Sequence, residues 1–255
     1  MIIESHYKNI KYKKPNLFKD YRIFWMKKMK KKLVISMGGS LIFSEKINVK
    51  FYREVKQILK KYKEDYNIAI VCGGGKTARD YSSIAKELDL SEENQDILGI
   101  DATRLNAKLI LFVLGDITTG KVYTRIDKLI ADFGKKVTIC GGIKPGQRTD
   151  KVAALIARKL GVKTLINLTN VDGVYNKDPK KFSDANLISK LDYDDYSNLS
   201  GLKKHKPSYH FVFDFDAAEI CHQENIRVII INGQKIDNLD KFLGNKEFLG
   251  SIISF

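Results

Sequence analysis

Three short, almost wholly apolar runs that each stop at glycine constrain this fold more than any other feature. LVISM at Leu33–Met37 runs into Gly38-Gly39-Ser40, IAIVC at Ile68–Cys72 into Gly73-Gly74-Gly75, and VTIC at Val137–Cys140 into Gly141-Gly142. Each run is too short for a helix and rich in β-branched residues, so each reads as a strand buried on both faces. Thr164–Leu168 and Arg227–Ile231 supply two more such strands. The intervening stretches carry helical spacing. Phe51–Tyr62 places Val55, Ile58 and Leu59 on one face, and Lys151–Leu160 is amphipathic with Gly161 as its C-cap. Thr77–Leu88, Leu98–Leu114 and Phe215–Gln223 complete the predicted helices. Buried strands alternating with helices predict an α/β chain whose mainly parallel sheet is covered on both faces.

In open sheets of this kind, ligands bind at the carboxyl ends of the strands. Glycine there lets backbone N–H groups approach phosphate oxygens, and a following helix adds positive potential. One glycine pair signifies only a tight turn. Three clusters along one sheet can wrap a phosphate-rich pair of ligands. The piece GGGKT resembles the end of a P-loop, but the first glycine of that pattern falls at Ile70, so it is no Walker motif.

Charge narrows the partners. The formal net charge is +15, of which residues 1–28 carry +6; the rest is spread as single lysines on predicted helix surfaces. Such a distribution describes a solvated surface better than a nucleic-acid-binding face. Cys72, Cys140 and Cys221 are too scattered for a disulfide framework or a zinc site and read as reduced thiols of a cytoplasmic protein. The longest apolar runs, such as Leu109–Leu114, are too short to span a membrane. Residues 1–28 form a basic leader without a secretory signal's apolar core, either a docking arm or sequence upstream of a start at Met26 or Met29. Residues 29–255 read as a single domain.

Five ordered motifs carry a family resemblance: GGS at 38–40, GGGKTAR at 73–79, DILGIDATRLNAKLI at 96–110, GGIKPGQRTD at 141–150 and TNVDGVYNKDP at 169–179. The set resembles the amino acid kinase superfamily and, within it, the archaeal-type UMP kinases, across roughly residues 30 to 253. The resemblance implies a three-layer αβα sandwich that moves the γ-phosphoryl of ATP to UMP, with Mg²⁺ carried by the ATP phosphates, and a homohexamer. The attacking UMP phosphate oxygen is already anionic, so alignment and charge neutralisation would dominate over base catalysis.

By the same resemblance, Ser36, Met37, Gly38, Gly39 and Ser40 would cradle ATP phosphates, joined by Gly75 and Arg79. Thr169, Asn170, Tyr175 and Asp178 would hold adenosine. Gly74 would approach UMP, and Asp96 would accept bonds from its ribose hydroxyls. The stretch Ile143, Lys144, Pro145, Gly146, Gln147, Arg148 and Thr149 would lie over the UMP base and phosphate. Asp150 would organise the phosphate-contacting groups, and Arg148 and Lys144 would stabilise the transferred charge. Read from residue type alone, Asp96 and Asp150 are also suited to helix capping, Asp214 reads as a helix cap, and Asp172 is equally suited to an Asp-Gly turn. Thr103, Arg104 and Asn106 stay unassigned between the acceptor pocket and a subunit interface.

Two departures stand out. Ser36 occupies a position that is Lys in related bacterial enzymes, and Ile143 and Arg148 replace hydroxyl residues of the usual acceptor loop. Two other readings stay open: a kinase acting on isopentenyl phosphate, and a non-catalytic nucleotide or oxyanion binder. The former branch has a histidine near its glycine loop, where this chain reads CGGGKTAR. Residues Asp192–Lys206 are polar and are expected to form a mobile loop near the nucleotide.

Overall fold

The computed structural model describes residues 30–199 and 212–255. The leader 1–28 and the end of the 192–206 stretch lie outside the described residues. The described elements build a sheet ordered β3-β4-β2-β1-β5-β9-β10-β8. The predicted strands are its centre: β1 (Lys31–Met37), β2 (Tyr66–Cys72), β4 (Val137–Cys140), β5 (Thr164–Thr169) and β9 (Arg227–Asn232). The polar strands β3 (Thr118–Tyr123), β8 (Lys190–Asp192) and β10 (Ser251–Ser254) extend it. All its pairings are parallel except β9 with β10. A separate ribbon pairs β6 (Val174–Tyr175) with β7 (Leu187–Ile188).

The side-chain period of two divides each central strand between two cores. Leu33, Ile35 and Met37 of β1 join Phe51, Val55 and Leu59 of α2 (Val49–Tyr62) on one face. That core also takes in α1 (Gly39–Ile42), α4 (Glu92–Leu114) and α9 (Asp237–Leu243). Val34 faces the other way, toward α5 (Ile126–Asp132), α6 (Thr149–Leu160) and α8 (Phe215–Gln223). The three layers expected from the sequence are present. Helix α3 (Gly75–Glu87) buries only Ala85, and α7 (Tyr193–Leu199) occupies the stretch expected to be a mobile loop. Tyr196 explains that correction: it is buried, and its hydroxyl donates to the Phe213 carbonyl and accepts from the Phe213 N–H.

The strand-end glycines bring backbone against backbone. A Cβ on Gly39 would lie 2.0 Å from the Gly75 nitrogen and 2.6 Å from the Gly73 carbonyl carbon. Gly75 has φ +63°, and a Cβ there would stand 2.3 Å from the Gly39 oxygen. Gly73 N–H donates to the Met37 carbonyl at 2.9 Å, and Gly38 N–H to Leu168 at 2.8 Å. The first two glycine bends therefore cross in contact, and the first is tied to β5. Gly39→Ala should lower the unfolding free energy by about 3 kcal/mol or more, because backbone must move to admit the methyl. Urea denaturation within about 0.5 kcal/mol of the parent, the usual range of a neutral surface change, would contradict this contact.

Candidate active site

Two cavities meet at the carboxyl edge of the sheet. The larger, about 990 Å³, runs between α3, the second turn of α4, the 142–150 segment and the end of β1. The smaller, about 300 Å³, lies between the 169–180 segment and Tyr196 and Leu199 of α7. Thr169 and Val212 line both, so the chambers adjoin.

Most of the residues singled out from the sequence converge here. Ser36, Gly38, Gly75, Arg79, Asp96 and Asp150 line the larger chamber, together with Lys144, Pro145, Gly146, Gln147, Arg148 and Thr149. Thr169, Asn170, Tyr175 and Asp178 line the smaller one. Others stand back from both linings. Met37 is fully buried in the first core, and Ile143 packs against the second. Gly39 is pressed against Gly73–Gly75, and Ser40 sits half-buried in α1. Gly74 is buried beneath α4, where a Cβ would approach Ala78 and Thr103. Lys76, the P-loop-like lysine, turns away to pair with Asp80 at 2.5 Å.

Helix α4 is the main support of the larger chamber. Asp96, Thr103 and Asn106 are spaced by seven and three residues, which aligns them along one face. Asp96 Oδ2 accepts the Gly146 N–H at 2.6 Å. Thr103 Oγ1 donates to the Ile100 carbonyl at 2.6 Å and accepts the Gly142 N–H at 2.5 Å. Buried Asn106 donates from Nδ2 to the Gly73 carbonyl at 2.8 Å. One helix thus fixes the second glycine bend, the third, and the tip of the 143–149 loop. Ser91 is the N-cap of α4, accepting from Asn94, so Asp96 lies within the helix and caps nothing.

On the floor, the alternation of β1 turns Ser36 toward the face that carries α6. Its hydroxyl donates to Asp150 Oδ1 at 2.6 Å, and the Asp214 N–H donates to Asp150 Oδ2 at 3.2 Å. Asp150 is in the first turn of α6, whose N-cap is Arg148, so it too is no cap. Asp214 does cap: its carboxylate accepts the Ala217 N–H at 3.2 Å and starts α8. Burial pushes the Asp150 carboxyl up to about 6, against the lowering effect of the Ser36 and Asp214 bonds. Arg148 extends into solvent with its Nε 3.8 Å from Asp214 Oδ2. Helices α3 and α6 open onto this chamber with no side-chain cap; in α3 the Lys76 N–H is already donated to the Phe43 carbonyl at 3.0 Å, so the first turn of α6 is the one that can meet an anion.

Several participants carry no local sequence signal. Asn167 of β5 lines the larger chamber and donates to the Val212 carbonyl at 2.8 Å. Asn232 and Lys235 each reach Asp172 at 2.8 Å. Burial raises the Asp172 pKa, but those two bonds together with the charge of Lys235 and the Tyr175 hydroxyl leave the net value lowered. Asp172 is therefore an anchor for the start of the 172–178 segment. Gln147 Oε1 is buried in the larger chamber with no partner among the described residues. Among those residues, no three His, Cys, Asp or Glu side chains gather as metal ligands. The Asp150–Asp214 pair is already engaged as described.

A mostly parallel sheet, helices on both faces and a two-chambered cleft on its carboxyl edge define a three-layer α/β protein. The chain belongs to the amino acid kinase family, whose sequence model matches residues 31–232. It is 35% identical over 224 residues to the uridylate kinase of Methanobrevibacter smithii, covering 88% of this chain and 99% of that one. It is 37% identical over 229 residues to the uridylate kinase of Sulfolobus acidocaldarius, covering 87% and 98%. The crystal structure of Archaeoglobus fulgidus uridylate kinase superimposes with a TM-score of 0.75 at 32% identity, covering 87% of this chain and 99% of that one. That of Ureaplasma parvum UMP kinase gives 0.71 at 26% identity, covering 89% and 99%.

Two measurements test this geometry. Asn106→Leu should lower stability by about 1–3 kcal/mol, since it leaves the Gly73 carbonyl buried without its donor; an unchanged urea midpoint would remove the α4 anchor. For Asp150, a raised folded value means that folding takes up a proton between the ordinary 3.8 and about 6. Its contribution to stability therefore falls as pH rises through that window. Asp150→Asn should gain on the parent by up to about 3 kcal/mol between pH 4 and pH 7. A difference that stays flat with pH would contradict a desolvated carboxyl.

Proposed function

We propose that this protein is a UMP kinase, transferring the γ-phosphoryl of ATP to UMP to give UDP and ADP. The observation that carries this reading is the junction of the two chambers at Thr169 and Val212, with the uncapped start of α6 opening onto the larger one. Likeness to uridylate kinases over nearly the whole length of each relative assigns the acceptor. Adenosine fits the smaller chamber against Tyr175, Asn170 and Asp178, and its phosphates run toward Gly38 and Gly75. UMP fits the larger chamber, with the free oxygen of Asp96 toward the ribose and Gln147 available to the base. Arg79 is on that wall as well, placed to meet phosphate where the ligands face each other.

The acceptor oxygen is an anion and needs no strong base. The chain's task is to hold two polyanions in line and to offset their repulsion. Arg148 and Lys144 supply mobile cations at the loop, and the α6 amino terminus supplies fixed N–H groups. Ser36 holds Asp150 where a bacterial-type lysine would stand, so the compensating charge comes from the loop. Mg²⁺, when bound, would be held chiefly by the ATP phosphates, because the cleft carboxylates Asp96, Asp150 and Asp178 do not gather as a metal-ligand set among the described residues; it would neutralise phosphate charge. The absence of histidine from CGGGKTAR argues against the isopentenyl phosphate alternative, and the convergence of Arg79, Arg148 and Lys144 on the larger chamber argues against a binder without turnover.

Self-association, a homohexamer by family resemblance, belongs to the same reading. Tyr81, Ile84 and Leu88 of α3 and Leu105, Leu109 and Phe112 of α4 leave apolar side chains exposed at helical spacing. Such a surface favours burial against a second copy. Among the described residues no helix is long and apolar enough to cross a membrane, and Cys72, Cys140 and Cys221 are free and buried. A cytoplasmic setting fits both.

A coupled assay with ATP, Mg²⁺ and UMP, CMP, dTMP or isopentenyl phosphate tests the acceptor. Rapid turnover with UMP alone is expected; turnover confined to isopentenyl phosphate, or binding without turnover, would overturn the reading. Arg148→Ala should slow UMP turnover by about 10²–10³-fold, the effect of removing one transition-state donor, with little change in ATP affinity. An undiminished rate would exclude Arg148 from the chemistry.

A further inference from the structure

The opposite edge of the sheet carries a third cavity, about 240 Å³, formed where the strands begin. Lys31 and Lys32 open β1, Arg227 opens β9, and Lys246 follows α9; all four line it. Tyr66, Phe242 and Phe248 supply its aromatic surface, and no carboxylate is in the lining. At about 3.3 Å per residue along β1, Lys31 stands roughly 16 Å from Ser36, so this cavity is separate from the cleft.

Two of the four cations are held in place by the fold. Lys32 Nζ donates to the Leu160 carbonyl at 2.8 Å, on the sheet face opposite Tyr66, Phe242 and Phe248, so its ammonium is turned away from the aromatic side. Arg227 Nε donates to Thr164 Oγ1 at 2.9 Å, which leaves its two terminal nitrogens to face a ligand. Lys31 Nζ stands 5.9 Å from the centroid of Tyr66, whose hydroxyl is tied to the Leu243 carbonyl. Phe242 and Phe248 meet edge to face at 5.2 Å. The three cations on the aromatic side, Lys31, Arg227 and Lys246, favour an anion in the concavity they share. A guanidinium fork suits phosphate oxygens, and aromatic rings suit a planar heterocycle.

We propose that this cavity binds a nucleotide, its phosphate on Arg227, Lys246 and Lys31 and its base against the aromatic wall. Its volume is close to that of the smaller chamber of the cleft. The proposal is independent of which acceptor the cleft uses, because it is tested by difference between two proteins.

Equilibrium dialysis of the full chain against labelled UMP counts the sites. The parent should bind one UMP per chain more than an R227S/K246S double variant whose turnover is unchanged. Equal stoichiometry in the two proteins would overturn the proposal. Ribose 5-phosphate, which lacks the base, should displace UMP from the additional site at least tenfold less well than unlabelled UMP; equal displacement would overturn the nucleotide assignment. Should the double variant fail to fold, Lys246→Ser alone, on an exposed loop, should weaken the additional site at least tenfold. Unchanged affinity there would equally overturn it.

Discussion

The arrangement of this protein depends on a backbone crossing in which Gly39 lies against Gly73–Gly75 with no room for a Cβ. That contact places the ends of β1 and β2 side by side and opens one edge of the sheet to ligands. A side chain at any of these positions would separate the bends and remove the approach that phosphate oxygens need. Strand pairing then propagates the spacing: Met37 is in register with Cys72 on one side and with Leu168 on the other. The two chambers are neighbours because these three strands are neighbours.

Helix α4 adds the second constraint. Its side chains hold two glycine bends and the tip of the 143–149 loop, so the larger chamber is set by a rigid element while its cations stay free to move. The division suits phosphoryl transfer, in which fixed N–H groups give alignment and adjustable side chains meet the charge that changes. Asp150 shows the same economy. Its carboxyl organises Ser36 and the turn before α8, and desolvation raises its pKa to about 6, so it is only about half ionised near pH 6.

What could be read from the sequence follows from how local each signal is. Central strands ending in glycine are short-range patterns, and β1, β2, β4, β5 and β9 were all legible, as were α2, α6 and α8. Edge strand β3 was not: TTGKVY has only partial burial and no alternation to mark it. Helix α4 begins at Glu92, six residues before its apolar stretch, because Ser91 caps it; the apolar pattern alone hid that turn. The stretch DYDDYSNL reads as polar loop, yet Tyr196 is fixed by a residue seventeen positions away. The same reason conceals Thr103, Asn106 and Asn167, whose partners are 39, 33 and 45 residues distant. Asp96 and Asp150 looked equally like caps until the true caps, Ser91 and Arg148, were placed.

A crystal structure of the complex with ADP and UMP would address the central claim most directly, since that pair fills both chambers without reacting. The account requires ADP with its base between Tyr175 and Asp178, and UMP between Asp96 and Thr149. Their phosphates should face one another beside Gly38 and Gly75, with space for a single phosphoryl group between. Ligands seated far apart, or either one bound away from the crossed glycine bends, would contradict it.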